Sequence, residues 1–164
     1  FNLDRERFIA AVTQEQEPLR RFLLGLCRGN AAEADDLAQE AMLRAYLAGT
    51  SFRGQSKFST WLFRIAYNCF CDRMKKILRR ETVSLETPDA RNVRAGGASD
   101  DGFRHQELYT ALDLLLPPER SAVLLFYMED RPIKEISDIL SCPEGTVKSH
   151  LSRARAKLKN ILAP

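Results

Sequence analysis

The chain has 164 residues, of which 45% are hydrophobic and 29% are charged, and its formal net charge is +3. This length allows one ordinary domain or two small ones, and neither half is long enough to bury a large core by itself. No apolar run approaches the roughly 18 residues of a membrane-spanning helix, and the charged N-terminus does not fit a signal-peptide pattern.

The charges are unevenly distributed along the chain. Residues 52–80 contain eight basic residues and one acid, Asp72. An acidic block without an intervening base precedes this segment and consists of Glu33, Asp35, Asp36 and Glu40. Segregated charge of this kind indicates two different partner surfaces.

The cysteines give no sign of a metal or disulfide framework. The four of them contain no C-x-x-C pair, and the two histidines stand at no zinc-site spacing. Cys69 and Cys71 lie too close together for a relaxed disulfide within one helix. We therefore expect reduced thiols in a cytoplasmic protein, with no metal and no cofactor. A redox or metal sensor is the alternative.

Three helices are predicted in the first half of the chain. The first covers about residues 3–26 and contains Pro18, which we expect to break or restart it. The second follows from the helical spacing of apolar residues over 34–46. The third follows a polar loop at 51–59, and its predicted buried stripe consists of Trp61, Leu62, Ile65, Ala66, Cys69, Phe70, Met74 and Ile77.

A change of composition separates the two halves. From about residue 81 to residue 104 the apolar periodicity disappears, and one proline and three glycines occur among Ser, Asp and Arg. This composition is typical of a flexible linker. We therefore predict an N-terminal domain at 1–80, a linker at 81–104 and a C-terminal domain at 105–164.

The C-terminal part is also predicted to be helical. Helical spacing resumes at 108–115, Pro118 is well placed to open a helix that reaches Tyr127, and a short helix covers 133–140. A tight turn then leads to Pro143 and a last helix, whose predicted buried stripe is Val147, Leu151, Ala154, Leu158 and Ile161. Strand-like alternation is absent, so the predicted fold class is all-α, with two small helical domains.

The last two predicted helices form a helix-turn-helix. A short helix, a turn of three to four residues and a basic amphipathic helix are the parts of this DNA-binding motif. Arg and Lys can bond to guanine in the major groove, while Ser permits close approach. The alternative is the solvated face of an ordinary bundle helix. The outward face carries Lys148, Ser149, Ser152, Arg153 and Ala156, with His150 and Arg155 towards its flanks.

A second group of candidate residues lies in FSTWLFRIAYN, residues 58–68. Aromatic rings interleaved with basic residues suit single-stranded nucleic acid, because rings stack on bases while cations hold phosphates. We expect Trp61 in the core rather than as a stacking platform, and Phe63 and Tyr67 can equally be half-buried against a neighbouring helix. The predicted outward face consists of Phe63, Arg64, Tyr67 and Asn68.

These segments resemble those of extracytoplasmic-function sigma factors. DDLAQEAMLRAY followed by FSTWLFRIAYNCFCDRMKK is similar to region 2 of that family. LPPERSAVLLFYMEDRPIKEISDILSCPEGTVKSHLSRARAKLK is similar to region 4. The resemblance implies a factor that binds core RNA polymerase, reads the −10 and −35 promoter elements and promotes melting without a catalytic residue. It also implies an anti-sigma factor as a partner.

The resemblance assigns three sets of residues. The acidic helix matches the surface that grips the clamp helices of the largest polymerase subunit, through Asp35, Asp36, Gln39, Glu40 and Arg44. The loop at 48–59 matches the segment that captures a flipped base of the −10 element. Together with the third helix, it supplies the −10-binding set that the resemblance implies, which is Phe52, Arg53, Gln55, Lys57, Phe63, Arg64, Tyr67 and Asn68. The −35 set is Lys148, Ser149, His150, Ser152, Arg153, Arg155 and Lys157. For the acidic helix alone, a merely solvated face is the alternative.

Three positions depart from the family pattern. Lys148 stands where the family often has Arg, His150 where a basic residue is usual, and Ser137 where Ala is usual in the first helix of the motif. The −35 preference of relatives therefore does not transfer to this chain. Two rival interpretations remain, a DNA-binding regulator that senses a ligand or dimerises, and an interaction module whose basic helix docks on a protein.

Overall fold

The computed structural model describes residues 4–49, 52–83 and 106–162, and every regular element in these ranges is helical. The all-α prediction is therefore confirmed. The elements are α1 (Arg5–Leu26), α2 (Ala31–Ala48), α3 (Phe58–Val83), α4 (Gln106–Asp113), α5 (Pro117–Val123), a π-helical turn (Leu124–Met128), α6 (Ile133–Leu140) and α7 (Glu144–Leu162). No helix in the described ranges is both long and apolar enough to cross a membrane.

Helix α1 is continuous, so the predicted break at Pro18 is wrong. Asp4 caps the helix by accepting from the backbone N–H of Arg7 at 2.8 Å. Proline inside a helix costs about 3 kcal/mol. Just beyond it, Leu19 and Phe22 are 0% and 1% exposed, and burying each contributes about 1.5–3 kcal/mol. Core packing of these residues, and of Val12 before Pro18, therefore keeps the helix in one piece.

The N-terminal domain consists of α1, α2 and α3 packed on one another. Asn30 caps α2 by accepting from the backbone N–H of Glu33 at 3.1 Å. The predicted apolar stripes of the two later helices are confirmed at their centres, where the fully buried residues are Ala34, Leu37, Ala41, Ala45, Leu62 and Ala66. Cys69 and Phe70 are also buried, whereas Trp61, Ile65, Met74 and Ile77 are half-buried.

Phe63 differs from its predicted outward position, because it is 0% exposed. Its ring stacks on Phe22 with centroids 5.4 Å apart. Arg131 belongs to the C-terminal domain, and its guanidinium lies 4.7 Å from the centroid of the Phe63 ring. A face of α3 that the sequence assigned to solvent is therefore covered.

The C-terminal domain is formed by α4 to α7. Pro117 opens α5, and the Glu119 carboxylate accepts from the N–H of Leu116 at 3.0 Å, which caps the helix. The predicted short helix and last helix are confirmed as α6 and α7, and α7 packs on α5 and α6. The predicted stripe of α7 is buried at Val147, Leu151 and Ala154, while Ile161 is 39% exposed.

Helix α3 extends to Val83 and thus beyond the predicted domain boundary at residue 80. The remainder of the predicted linker, residues 84–104, lies outside the described residues.

The two domains pack directly against each other. Helices α1 and α3 contact α5, the π-helical turn and α6, and the buried side chains of both domains form one continuous cluster. Gly25 permits a close approach of the two domains, since a Cβ placed there would lie 2.7 Å from Cδ2 of Leu124. The sequence predicted two domains but not this shared core.

Candidate nucleic-acid interface

The turn between α6 and α7 fixes the orientation of the basic helix. Ser141 adopts the left-handed conformation with φ 54° and ψ 49°. The Ser137 hydroxyl donates to the carbonyl oxygen of Cys142 at 2.5 Å, and the Cys142 N–H donates to the Ser137 carbonyl at 3.1 Å. The serine that departs from the family pattern therefore holds the turn through its side chain.

The predicted outward face of α7 is open to solvent. Lys148, Ser149, Ser152 and Arg153 are all exposed, whereas Val147 and Leu151 face the core. The Ser149 hydroxyl donates to the Gly145 carbonyl at 3.1 Å within the same helix. This geometry is that of a recognition helix with polar side chains available to a major groove.

The flanking residues of α7 are held by the rest of the domain. Arg155 donates to the Tyr127 hydroxyl at 2.6 Å. Its guanidinium lies 5.7 Å from the ring centroid of Phe126. Lys157 donates to the Glu119 carboxylate at 2.6 Å, and that carboxylate side chain is 2% exposed. Both cations are thus oriented before any ligand binds.

His150 lies half-buried beside this face. Its Nδ1 atom is buried without a hydrogen-bond partner. Burial, followed by the nearby charge of Arg153, lowers the pKa of His150 below its usual value. The ring is therefore neutral at pH 7 and acts at most as a polar neighbour of the exposed face.

The predicted −10 loop is anchored by aromatic residues. Phe52 is 6% exposed and packs against Trp61 and Phe58, with ring centroids 5.1 Å and 5.8 Å away. Arg53 and Gln55 are exposed beyond this anchor. Trp61 is half-buried and supports the loop, which agrees with its expected core role.

The predicted −10-binding residues of α3 differ in their surroundings. Asn68 is exposed and lies towards solvent. Arg64 is also exposed, but its Nε donates to the Ser141 hydroxyl of the C-terminal domain at 3.3 Å. Tyr67 is half-buried and hydrogen-bonded to Ser121 and Cys71, and burial is the main cause that raises its pKa.

Lys57 completes this contact with the C-terminal domain. Its ammonium lies 2.8 Å from the Glu135 carboxylate of α6. Burial of that carboxylate opposes ionisation, but hydrogen bonds from Lys57 and Arg131 outweigh it, so the pKa of Glu135 lies below its usual value. The pair is therefore ionised at neutral pH.

The acidic residues of α2 lie on the surface of the N-terminal domain. Asp36 and Gln39 are exposed, and Asp35 pairs with Arg20 at 3.1 Å. Arg44 donates to Glu40 at 2.7 Å and to Asp72 at 3.0 Å. Of the five predicted residues, Glu40 and Arg44 thus pair with each other, Asp35 pairs with Arg20, and Asp36 and Gln39 are exposed.

The sequence analysis missed two apolar neighbours of Asp36. Leu43 and Leu47 are 59% and 71% exposed. At about 100° per residue they lie opposite the buried stripe of α2 and in line with Asp36. Their phase relative to that stripe was the signal that would have identified them. An exposed row of an acid and two leucines is typical of a protein-binding surface.

Taken together, these features define a two-domain nucleic-acid-binding protein. One domain presents a helix-turn-helix with an open basic helix, and the other combines a basic and aromatic face with a separate acidic and apolar surface. Two family models match the chain: "Sigma-70 region 2" over residues 11–80 and "Sigma-70, region 4" over residues 105–158.

Similar proteins with curated functions agree with both matches. The chain is 38% identical over 145 residues to the ECF RNA polymerase sigma factor SigW of Bacillus subtilis, which covers 82% of this chain and 78% of that protein. It is 34% identical to the ECF RNA polymerase sigma factor EcfG of Rhodopseudomonas palustris, over 96% of this chain and 84% of that protein. The chain belongs to the extracytoplasmic-function subfamily of sigma-70 factors.

Solved structures show the same fold. The sigma factor RpoE of Bartonella quintana, in complex with the anti-sigma factor NepR, superposes with a TM-score of 0.79 at 28% identity, over 94% of this chain and 96% of that one. CnrH, in complex with the cytosolic domain of CnrY, gives a TM-score of 0.71 at 23% identity, over 97% and 89% of the two chains.

Members of this family are transcription initiation factors rather than enzymes. This chain accordingly binds core RNA polymerase and directs it to promoters for transcription initiation.

Proposed function

We propose that this sigma factor reads a −35 element as duplex DNA and a −10 element as a melted strand. The observation that carries the proposal is the exposed polar face of α7, set by the Ser137-stabilised turn. In this proposal Ser149 and Arg153 face base edges, together with Lys148 and Ser152, and the half-buried His150 borders this face. Arg155 and Lys157 hold phosphates on the flanks.

The −10 element is assigned to the N-terminal domain. Arg53 and Gln55 project from a loop that Phe52 anchors, which suits capture of a flipped base by a pocket. Arg64 and Asn68 continue this surface along α3, with Lys57 and Tyr67, whereas Phe63 is fully buried. Binding unpaired bases there offsets the few kcal/mol of stacking that melting removes, so no catalytic group is required.

The polymerase-binding surface is assigned to α2. Asp35, Asp36, Gln39, Glu40 and Arg44 form the charged part, and a basic partner surface complements their acidic character. The exposed leucines Leu43 and Leu47 extend it with apolar area. Because RNA polymerase works in the cytoplasm, we place the protein there as well.

An anti-sigma factor is the third proposed partner. RpoE of Bartonella quintana is 28% identical over 94% of this chain, and its structure is that of a complex with the anti-sigma factor NepR. We propose that this chain is regulated by a protein of the same class.

Reconstituted transcription tests the proposal. Core RNA polymerase and the purified chain are incubated with a promoter library randomised at the −35 and −10 positions, and the transcribed templates are sequenced. We expect two enriched elements at a fixed spacing. Arg153→Ala should alter only the upstream element and Arg53→Ala only the downstream one. The proposal is contradicted if only one element is enriched. It is also contradicted if Arg153→Ala alters the downstream element or Arg53→Ala alters the upstream one.

A further inference from the structure

One edge of the recognition helix carries a cation and a phenol that are held side by side. Arg155 of α7 donates from Nε to the Tyr127 hydroxyl at 2.6 Å. Its guanidinium lies 5.6 Å from the centroid of the Tyr127 ring and 5.7 Å from that of Phe126. A hydrogen bond and two ring faces together restrict a side chain that otherwise samples many rotamers. The Arg155 guanidinium is therefore placed before a ligand arrives.

The hydrogen bond to Tyr127 leaves most donors of Arg155 unused. Besides Nε–H, a guanidinium has N–H groups on both terminal nitrogens. In the part of the chain that the structure describes, no carboxylate pairs with Arg155, so its positive charge is not neutralised. The free donors lie in one plane and suit the oxygens of a phosphate.

The Tyr127 hydroxyl has a donor to offer as well. A phenol that accepts from Arg155 keeps its own hydrogen, and none of the described residues provides an acceptor for it. Tyr127 is 53% exposed, so this O–H is accessible to a ligand from solvent. The two side chains thus present neighbouring donors to a single anion.

The pair lies where a DNA backbone would pass. At about 100° per residue, Arg155 is roughly in line with Lys148 and about 60° from Ser152, at the edge of the exposed face of α7. When a recognition helix lies in the major groove, cations at the edge of its face meet phosphates rather than base edges. At the opposite edge Lys157 already binds the Glu119 carboxylate at 2.6 Å, and a phosphate there has to compete with that carboxylate.

We propose that Tyr127 and Arg155 form a binding site for one backbone phosphate beside the −35 element. In this site Tyr127 orients the guanidinium and also donates its O–H to the phosphate. The inference rests on the proposed function, because it requires α7 to bind the −35 duplex. Tyr127 lies outside α7, in the π-helical turn Leu124–Met128, and wide turns of this kind often occur at functional positions.

A duplex with a single uncharged backbone group tests the site directly. The probe is the promoter enriched in the library experiment, with one methylphosphonate placed at successive positions on both strands around the −35 element. Binding is measured with core RNA polymerase and the full chain. At one position, the loss of affinity that the unaltered chain shows should be reduced in Tyr127→Phe and abolished in Arg155→Ala, because the partner of that phosphate is missing.

Salt dependence separates the contributions of the two residues. On the unmodified duplex, Tyr127→Phe should lower the affinity about three- to tenfold, the range of one hydrogen bond. The salt slope should stay unchanged, because no charge is removed. Arg155→Ala should lower both the affinity and the salt slope, the latter by about one charge. When Arg155→Ala is already present, Tyr127→Phe should cost less than it does alone.

Tyr46→Phe is the matched control. Tyr46 is 52% exposed on α2, so this variant removes a phenol hydroxyl of similar exposure from the other domain. It should leave the affinity for the −35 duplex and the methylphosphonate pattern unchanged. Thermal unfolding followed by circular dichroism establishes that each variant is as stable as the unaltered chain.

Two results overturn the inference. In the first, Tyr127→Phe binds the duplex as well as the unaltered chain does. In the second, Tyr127→Phe weakens binding but keeps the full methylphosphonate pattern, which indicates a purely structural role. Failure of the proposed function looks different, because the unaltered chain then enriches no −35 element with core polymerase, and the inference falls with it.

Discussion

Arg120 illustrates how one buried side chain can join two domains. It is 5% exposed, and its guanidinium donates to the carbonyl oxygens of Leu26, Leu112 and Leu115 at 2.8 Å, 2.9 Å and 3.0 Å. Carbonyls at helix C-termini lack partners within their own helix, so Arg120 satisfies acceptors of both α1 and α4. Burial lowers the pKa of Arg120 to about 10, which leaves the group charged at neutral pH.

Glu119 and Lys157 give a pH-dependent contribution to stability. Burial opposes ionisation of Glu119, but hydrogen bonds from Lys157 and the Leu116 N–H outweigh it and lower its pKa. The folded-state pKa of Glu119 lies below the usual 4.5, so the ionised carboxylate stabilises the folded protein at pH values above 4.5. This stabilisation is lost as the pH falls through the folded-state pKa. We expect Glu119→Gln to reduce the free energy of unfolding by about 1.5–3 kcal/mol at pH 7.

Urea denaturation over a pH series measures this effect. The difference in unfolding free energy between the unaltered chain and Glu119→Gln should be constant near neutrality and shrink once pH falls below the usual carboxyl pKa. Glu107→Gln, which removes an exposed carboxylate, should show a smaller difference. An equal difference for Glu119→Gln at acidic and neutral pH would contradict an ionised pair.

Arg153 and Arg155 are predicted to have different roles, with Arg153 contacting bases and Arg155 contacting phosphates. Arg153 is exposed on the face of Ser149, so Arg153→Ala should cost about 1–3 kcal/mol and relax preference at one or two base pairs. Arg155 is held against Tyr127 on the flank, so Arg155→Ala should weaken all sequences about equally and lower the salt slope by about one charge. Titration of −35 variants at several salt concentrations gives both quantities. If Arg155→Ala changes base preference while Arg153→Ala weakens all sequences equally, a different side of α7 faces the DNA.

Helix α2 presents an exposed surface that is not part of the core of the N-terminal domain. Asp36, Leu43 and Leu47 lie in one line opposite the buried stripe. Asp36→Lys and Leu47→Ser should each weaken core polymerase binding by more than about 1 kcal/mol, because they remove a charge and an apolar contact from one interface.

Affinity for core polymerase is measured by titration with fluorescently labelled protein. Gln16→Lys, an exposed change on α1, serves as the matched control and should leave the affinity unchanged. Circular dichroism establishes that each variant remains helical. Unaltered polymerase affinity of both α2 variants would reject the assignment of this surface.

The π-helical turn after α5 places the residues that meet the N-terminal domain. The Leu124 carbonyl accepts from the Glu129 N–H at 3.1 Å, and the Leu125 carbonyl accepts from the Arg131 N–H at 2.9 Å. The wider turn brings Glu129 to Arg21 and Arg131 to Phe63. Such turns often occur at functional positions in helices.

At the scale of the whole molecule, the shared core predicts that the domains stay together after the chain is cut. We expect limited proteolysis within residues 84–105 to leave two fragments that co-elute on size exclusion, because the contact of Gly25 with Leu124 and the Arg21–Glu129 pair do not depend on that segment. The same cut in the Arg21→Glu variant should release them. Separate elution of the fragments from the unaltered chain contradicts a stable interface.

Much of the secondary structure was predictable from the sequence because apolar periodicity reports which side of a helix meets the core. The short helix α6 was predicted in this way and is confirmed, and the stripes of α2 and α7 are confirmed except at Tyr46 and Ile161, which are 52% and 39% exposed. The sigma-factor family also followed from the sequence, because two motifs in a fixed order are specific. The exposed polar face of α7 was predictable because its residues fall outside the buried stripe.

The interdomain arrangement was decided by tertiary structure alone. Periodicity shows that a residue is outside its own domain's stripe, but not whether a distant segment covers it, which is why Phe63 was predicted outward and is buried. The continuity of α1 at Pro18 has the same origin, since packing of Leu19 and Phe22 outweighs a local preference. Contacts such as Arg21 with Glu129 join residues 108 positions apart, so no local pattern in the sequence reports them.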